Sequence, residues 1–100
     1  MSVKHRTYFG GSVQSLELLT AKGRATVGVI EPGTFQFEAE DEEHIHVVAG
    51  TLRARLPGRA EWAEYRTGEV CVVPAGSKFD VAPKEHVAYL CYYVSPRAGR

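Results

Sequence analysis

The chain has 100 residues, 44% hydrophobic and 24% charged, enough apolar material for one small core and too much for disorder. Its 12 basic and 12 acidic residues cancel, so the basic excess expected of a nucleic-acid binder is missing. No apolar run approaches the ~18 residues of a membrane span, and "MSVKHRTYFGG" has no apolar stretch of the signal-peptide type, which together predict a cytoplasmic protein.

In chain order, "GSVQSLELLT" (11–20) comes nearest to helical spacing, but its alternation also fits a strand. Strands are expected at "RATVGVI" (24–30), "TFQFEAE" (34–40), "HIHVVAGTLRARL" (44–56) and "AEWAEYRTG" (60–68). Three more are expected at "EVCVVPAG" (69–76), "SKFDVAP" (77–83) and "VAYLCYYV" (87–94). Glu31-Pro32-Gly33, Leu56-Pro57-Gly58, Thr67-Gly68 and Pro74-Ala75-Gly76 mark the turns. Short strands with turns every 8–12 residues predict an all-β sandwich or small barrel. One domain over 1–100 is expected, with its core over about 7–94 and a loose C-terminal tail at 95–100.

Alternation assigns faces. Phe35 and Phe37 share one face, and Tyr89, Cys91 and Tyr93 share another. In 24–30, Arg24, Thr26, Gly28 and Ile30 oppose Ala25, Val27 and Val29. The valine face is expected in the core, leaving Arg24 to reach solvent or line a cavity. Cys71 and Cys91 lie in apolar runs and are expected as buried thiols, with no neighbouring cation or helix start to activate either one. Whether the two lie side by side is left open by the sequence.

"DEEHIHVVAG" (41–50) raises the question of a metal site. Two spacings bear on it: Glu43, six residues, Gly50; and Gly68, five residues, Pro74-x-Gly76, two residues, Phe79. Both resemble the signature motifs of the cupin superfamily of antiparallel jelly-roll barrels. In metal-binding cupins a His-x-His precedes the glutamate and a third histidine ends the second motif. Here those positions fall on Gln36 and Glu38, or Phe37 and Ala39, and on Phe79. Phenylalanine coordinates nothing. His44 and His46 follow Glu43 and are expected on the opposite strand face, as surface or interface histidines. No metal is therefore expected.

Nearly the whole chain resembles one metal-free cupin family, the pyrimidine/purine nucleoside phosphorylases. The resemblance runs in order through "YFGGSVQSL" (8–16), "GRATVGV" (23–29), "GTFQF" (33–37), Glu43 and "VVAGTL" (47–52). It continues through Leu56-Pro57 with Trp62 and Tyr65, "GEVCVVPAGSKF" (68–79) and "YLCYYV" (89–94). It implies a cupin jelly-roll barrel and phosphorolysis of purine and pyrimidine nucleosides to free base and ribose 1-phosphate. No cofactor is implied beyond inorganic phosphate as co-substrate. Next to Glu43, His44 and Ile45 stand where the family pattern carries a second acid and a methionine, a departure that bears on substrate preference more than on fold.

Phosphorolysis needs a cation for phosphate, a carboxylate or dipole near the sugar, and a flat apolar surface for the base. Arg24 in "GRATVGV" suits phosphate as a bidentate fork, set against the plainer reading of a rim arginine reaching water. Glu43, by the cupin register, is the inward acid that would meet the ribose or the cationic sugar; its plainer reading is one of the solvated acids of 38–43. Phe37, Phe79, Tyr89 and Tyr93 are candidates for the base surface, or simply core. Ser77 is a candidate phosphate donor, or caps its turn. A homodimer paired through a sheet is expected on family grounds, with no nucleic-acid polymer or membrane partner. Three rivals remain: a non-catalytic small-ligand-binding cupin, a metal-dependent cupin using His44, His46 and Glu43, and a structural dimer whose cavity is filled by its own side chains.

Overall fold

Glycine and proline cut the chain into strands short enough to fold back on one another. The structure, a computed structural model, describes residues 2–94; the expected tail at 95–100 lies outside the described residues. The strands are β1 (His5–Tyr8), β2 (Val13–Thr20), β3 (Gly23–Ile30), β4 (Phe35–Ala39) and β5 (Glu42–Ala49). After them come β6 (Leu52–Arg55), β7 (Ala63–Tyr65), β8 (Val70–Val73), β9 (Ser77–Val81) and β10 (Val87–Val94). Only a 3-10 turn at Phe9–Gly11 interrupts this among the described residues.

Two antiparallel sheets result, in the orders β1-β2-β3-β10-β5-β8 and β4-β9-β6-β7. The late strand β10 lies between β3 and β5, and β9 between β4 and β6, so the chain crosses repeatedly from sheet to sheet. This is the expected all-β jelly roll, although the strands form two facing sheets and not one closed hydrogen-bonded ring. Between the sheets lie Val13, Ile45, Val47, Leu52, Val73, Val81 and Val87, all buried. Each such side chain contributes roughly 1.5–3 kcal/mol by leaving water.

The expected strand 44–56 is two strands in two different sheets. Gly50 divides them: its φ is +81°, and a Cβ there would lie 2.5 Å from the His86 carbonyl oxygen. Only glycine allows that conformation and that approach. The expected strand 60–68 contracts to β7, an edge strand of three residues, and β1 is an additional edge strand that its exposed, polar sequence concealed.

The valine face of β3 is not core. Val27 and Val29 are 42% and 46% exposed, whereas Thr26 and Ile30 are buried. Alternation separates two faces but does not say which is inside, and on β3 the more apolar face is the outer one. Arg24 is therefore on the inward face. On that same face Gly28 pairs with Tyr89, and a Cβ at Gly28 would come 2.6 Å from the Tyr89 hydroxyl, so the missing side chain gives the ring its place.

Cys71 and Cys91 are both free and buried. Each pairs with Ile45, from opposite sides of β5, so a whole strand separates them. At two strand spacings, ~10 Å, they lie beyond disulfide reach.

Candidate active site

Inward-facing residues of β2, β3, β5 and β10 meet those of β4 and β9 around a cavity of about 820 Å³. That is the size of a small-molecule site, and it removes the reading in which the protein fills its own barrel. Two clusters of side chains line it.

The first is polar. Arg24 lies 3.7 Å from Glu17 and 3.9 Å from Asp41, with its guanidinium 4.1 Å above the centre of the Tyr93 ring. At those separations, with the arginine side chain 41% exposed, the ion pairs are loose and leave its fork available. Tyr93 in turn shares a 2.9 Å hydrogen bond with the hydroxyl of Thr26, which is itself buried. Glu43 completes the cluster. Burial raises its carboxyl above the ordinary 4.5, and Asp41 adds to this, while the Cys91 thiol and Arg24 pull the other way.

The thiol of Cys91 donates to Glu43 Oε1 at 3.6 Å. Burial, with the Glu43 charge next to it, drives the thiol well above its usual range, so it remains a donor and not a thiolate nucleophile. Burial likewise pushes Cys71 up to about 11 and Tyr89 up to about 12. The phenol of Tyr93 moves upward for the same reason. Cys91, Tyr89 and Tyr93 therefore keep their protons at the cavity, beside the raised carboxyl of Glu43. Among the described residues, five carboxylates line the cavity (Glu17, Glu38, Glu40, Asp41, Glu43) against three cations (Lys4, Arg6, Arg24). Such a lining favours positive charge developing on a bound molecule.

The second cluster is aromatic. Phe79, 5% exposed, stacks on Phe37 with ring centres 5.7 Å apart and planes 27° from parallel. Phe9 and Tyr8 meet Phe37 edge-on at 5.4 and 6.0 Å. A flat apolar wall thus stands at Phe79, in place of any metal-ligating side chain at that position.

The candidates therefore separate. Arg24, Phe37, Glu43, Phe79, Tyr89 and Tyr93 all line the one cavity. Ser77 does not: its hydroxyl donates to the Pro74 carbonyl at 2.6 Å and closes the turn before β9. His44 and His46 lie on the outer face of β5, away from Glu43. His44 Nε2 is 2.6 Å from the Glu42 carboxylate, and His46 packs edge-on against Tyr92 at 5.3 Å. The one irregularity in the β5–β10 register falls at Ala88/Tyr89, so alternation through 43–46 is intact. His44, His46 and Glu43 do not converge on one point.

Tyr8, Phe9, Glu17, Thr26 and Asp41 also line the cavity and were not singled out from the sequence. For Glu17 a signal was present: Val13, Ser15 and Glu17 alternate on β2, and an acid on an otherwise buried face marks a polar interior. Trp62 lies elsewhere, beneath the guanidiniums of Arg53 and Arg55 at 4.3 and 4.7 Å.

Comparison with known proteins adds the rest. The family model described as pyrimidine/purine nucleoside phosphorylase matches residues 3–93. A Pseudomonas aeruginosa protein bearing that name is 43% identical over 90 residues, 90% of this chain and 97% of the relative. A crystal structure of a Vibrio parahaemolyticus protein of unknown function superposes with a TM-score of 0.89 at 36% identity, over 94% of this chain and all of that one. The EutQ protein of Clostridium difficile, at 21% identity and TM-score 0.69 over 84% of this chain and 69% of its own, is similar in fold alone.

Proposed function

The chain belongs to the pyrimidine/purine nucleoside phosphorylase family, and from that premise we propose that it phosphorolyses nucleosides in the cavity between its sheets. A phosphate oxygen attacks C1′ of the ribose and the bond from C1′ to the base nitrogen breaks. The bonding pair leaves with the base, which takes up a proton, and ribose 1-phosphate forms. Arg24 holds phosphate with two parallel N–H donors. Glu43, as a carboxylate, faces the sugar as positive charge grows at C1′. Phe37 and Phe79 carry the base by stacking, which tolerates purines and pyrimidines alike because every base has a π-face. Tyr89 and Tyr93 border the sugar as protonated donors.

The observation that carries this reading is the meeting of Arg24, an acid with a raised pKa and a flat aromatic wall in one cavity. Phosphorus NMR on a mixture of uridine, inorganic phosphate and enzyme tests it: a sugar 1-phosphate resonance is expected to grow in step with free uracil. Release of uracil with orthophosphate unconsumed would mean hydrolysis instead.

The same reading makes the protein metal-independent, because its histidines lie off the cavity, and cytoplasmic. It also makes the protein a homodimer. Leu16, Val27, Val29, Val70 and Val72 leave 38–47% of their surface exposed on the outer face of the six-stranded sheet. The registers place Leu16, Val27, Leu90, His46 and Val70 in one row across five strands. A largely apolar surface of this kind, broken in this row only by His46, marks an interface, and a second copy offers the same face. Light scattering is expected to give twice the 11.0 kDa chain mass, with Val27→Lys returning it toward one. A monomeric wild type at micromolar concentration contradicts the dimer.

A further inference from the structure

Among the aromatic side chains of the described residues that line the cavity, Tyr8, Phe37, Phe79, Tyr89 and Tyr93 are fixed on strands; Phe9 alone sits on a connection. That connection is the short one between β1 and β2, whose ends are held by the pairing of Tyr8 with Val13. Phe9 has a φ of +53°, in the left-handed region that non-glycine residues avoid. Gly10 and Gly11 follow with φ of +67° and +101°, so three successive residues hold positive φ. A Cβ at Gly10 would meet nothing within 4 Å, so that position needs conformational freedom more than room.

This strained geometry does not bury Phe9. It sets the ring on the lining of the cavity, against Phe35 at 5.0 Å and Phe37 at 5.4 Å, and leaves 49% of the residue exposed. The plainer role, a ring sealing the core, would call for fuller burial and no such backbone. A half-exposed ring on the cavity lining, followed by two glycines, gains contacts when something flat displaces it from Phe37 and takes its place there.

We propose that Phe9 is the movable wall of the base subsite, closing on the exposed face or edge of a nucleobase whose other side rests on Phe37. This rests on the nucleoside reading of the site and adds a specificity-determining residue to it. An aromatic clamp grips by area, so it holds a purine more firmly than a pyrimidine and reads no base edge. Arg24 and Glu43 belong to the other cluster, so phosphate binding is independent of Phe9.

Calorimetry on the full chain tests the proposal, with adenosine and uridine as probes and sulfate present as an unreactive anion. Phe9→Ala is expected to weaken adenosine binding about tenfold or more and uridine binding less, while Phe9→Tyr, which keeps the flat ring, stays within about twofold of wild type. In turnover, the KM for phosphate of Phe9→Ala is expected to stay within about twofold. Equal adenosine affinity in Phe9→Ala and wild type overturns the proposal, as does Phe9→Tyr losing as much as Phe9→Ala. A wild type that binds neither nucleoside overturns both the clamp and the function. A wild type that binds nucleoside but never consumes phosphate removes phosphorolysis alone, and the affinities of the two variants then decide the clamp.

Discussion

Glu43→Gln is expected to lower kcat on the order of 100-fold or more and, at pH 7, to leave the protein at least as stable as the wild type. The activity loss follows from removing a preorganised charge beside a developing cationic sugar, for which losses of roughly 10²–10³ are usual. The stability effect has the opposite sign because burial raises the Glu43 pKa above its ordinary 4.5. The folded protein then holds this proton more tightly than the unfolded chain. Stability falls as pH rises from 4.5 through the raised value, and above it the penalty of a buried charge persists. Glutamine carries no such charge, and its amide oxygen still accepts from Cys91. The difference in Tm between variant and wild type is therefore expected to widen as pH rises above 4.5.

Catalysis runs against stability here. The ionised form is the working one, so kcat/KM of the wild type is expected to fall on the acid side at a pH above 4.5, and that limb is expected to vanish in the glutamine variant. A Glu43→Gln enzyme with wild-type kcat would remove this carboxylate from the chemistry, whatever its Tm.

Arg24→Ala is expected to raise the KM for phosphate by roughly 10- to 100-fold while moving the KM for nucleoside only severalfold. A charge-assisted hydrogen bond contributes about 1.5–3 kcal/mol, which corresponds to a change of that size. Arg24→Lys is expected to recover only part of the loss, since an ammonium supplies a point charge without the two-pronged geometry. Structural collapse is not expected in either variant, because Arg24 is partly exposed and its contacts to Glu17 and Asp41 are 3.7 and 3.9 Å long. Unchanged dependence on phosphate concentration in Arg24→Ala contradicts the assignment. The acid-rich lining makes the arginine more important: five carboxylates around the cavity oppose a dianion, and Arg24 shares the task of holding it with Lys4 and Arg6 alone among the described residues.

The strands and their turns were legible because β-branched and aromatic runs alternate with Gly and Pro at short intervals, a local signal. Glu43 was legible as a cavity residue through its spacing to Gly50, but the division of 44–56 at Gly50 was not, because its φ and the close approach of the His86 carbonyl appear only in the folded chain. What alternation leaves undetermined is the identity of the inner face. Val27 and Val29 suggest a core by composition, yet Arg24, Thr26 and Ile30 face the cavity, because β3 turns polar groups toward the site and leaves its valines on the outer surface. Ser77 was a reasonable phosphate donor until its hydroxyl proved engaged with its own turn. Phe9 and Asp41 lie on loops, where no periodicity reports direction, and only the folded chain brings them to the cavity.

The central claim is metal-free phosphorolysis in this cavity. Its most direct test is the rate of free-base release from uridine and from adenosine as inorganic phosphate is varied, with a strong chelator present throughout. Release that saturates with phosphate and is unaffected by chelator is the predicted result. Release that stops with chelator and returns with added transition metal, or no release from either nucleoside at any phosphate concentration, contradicts it.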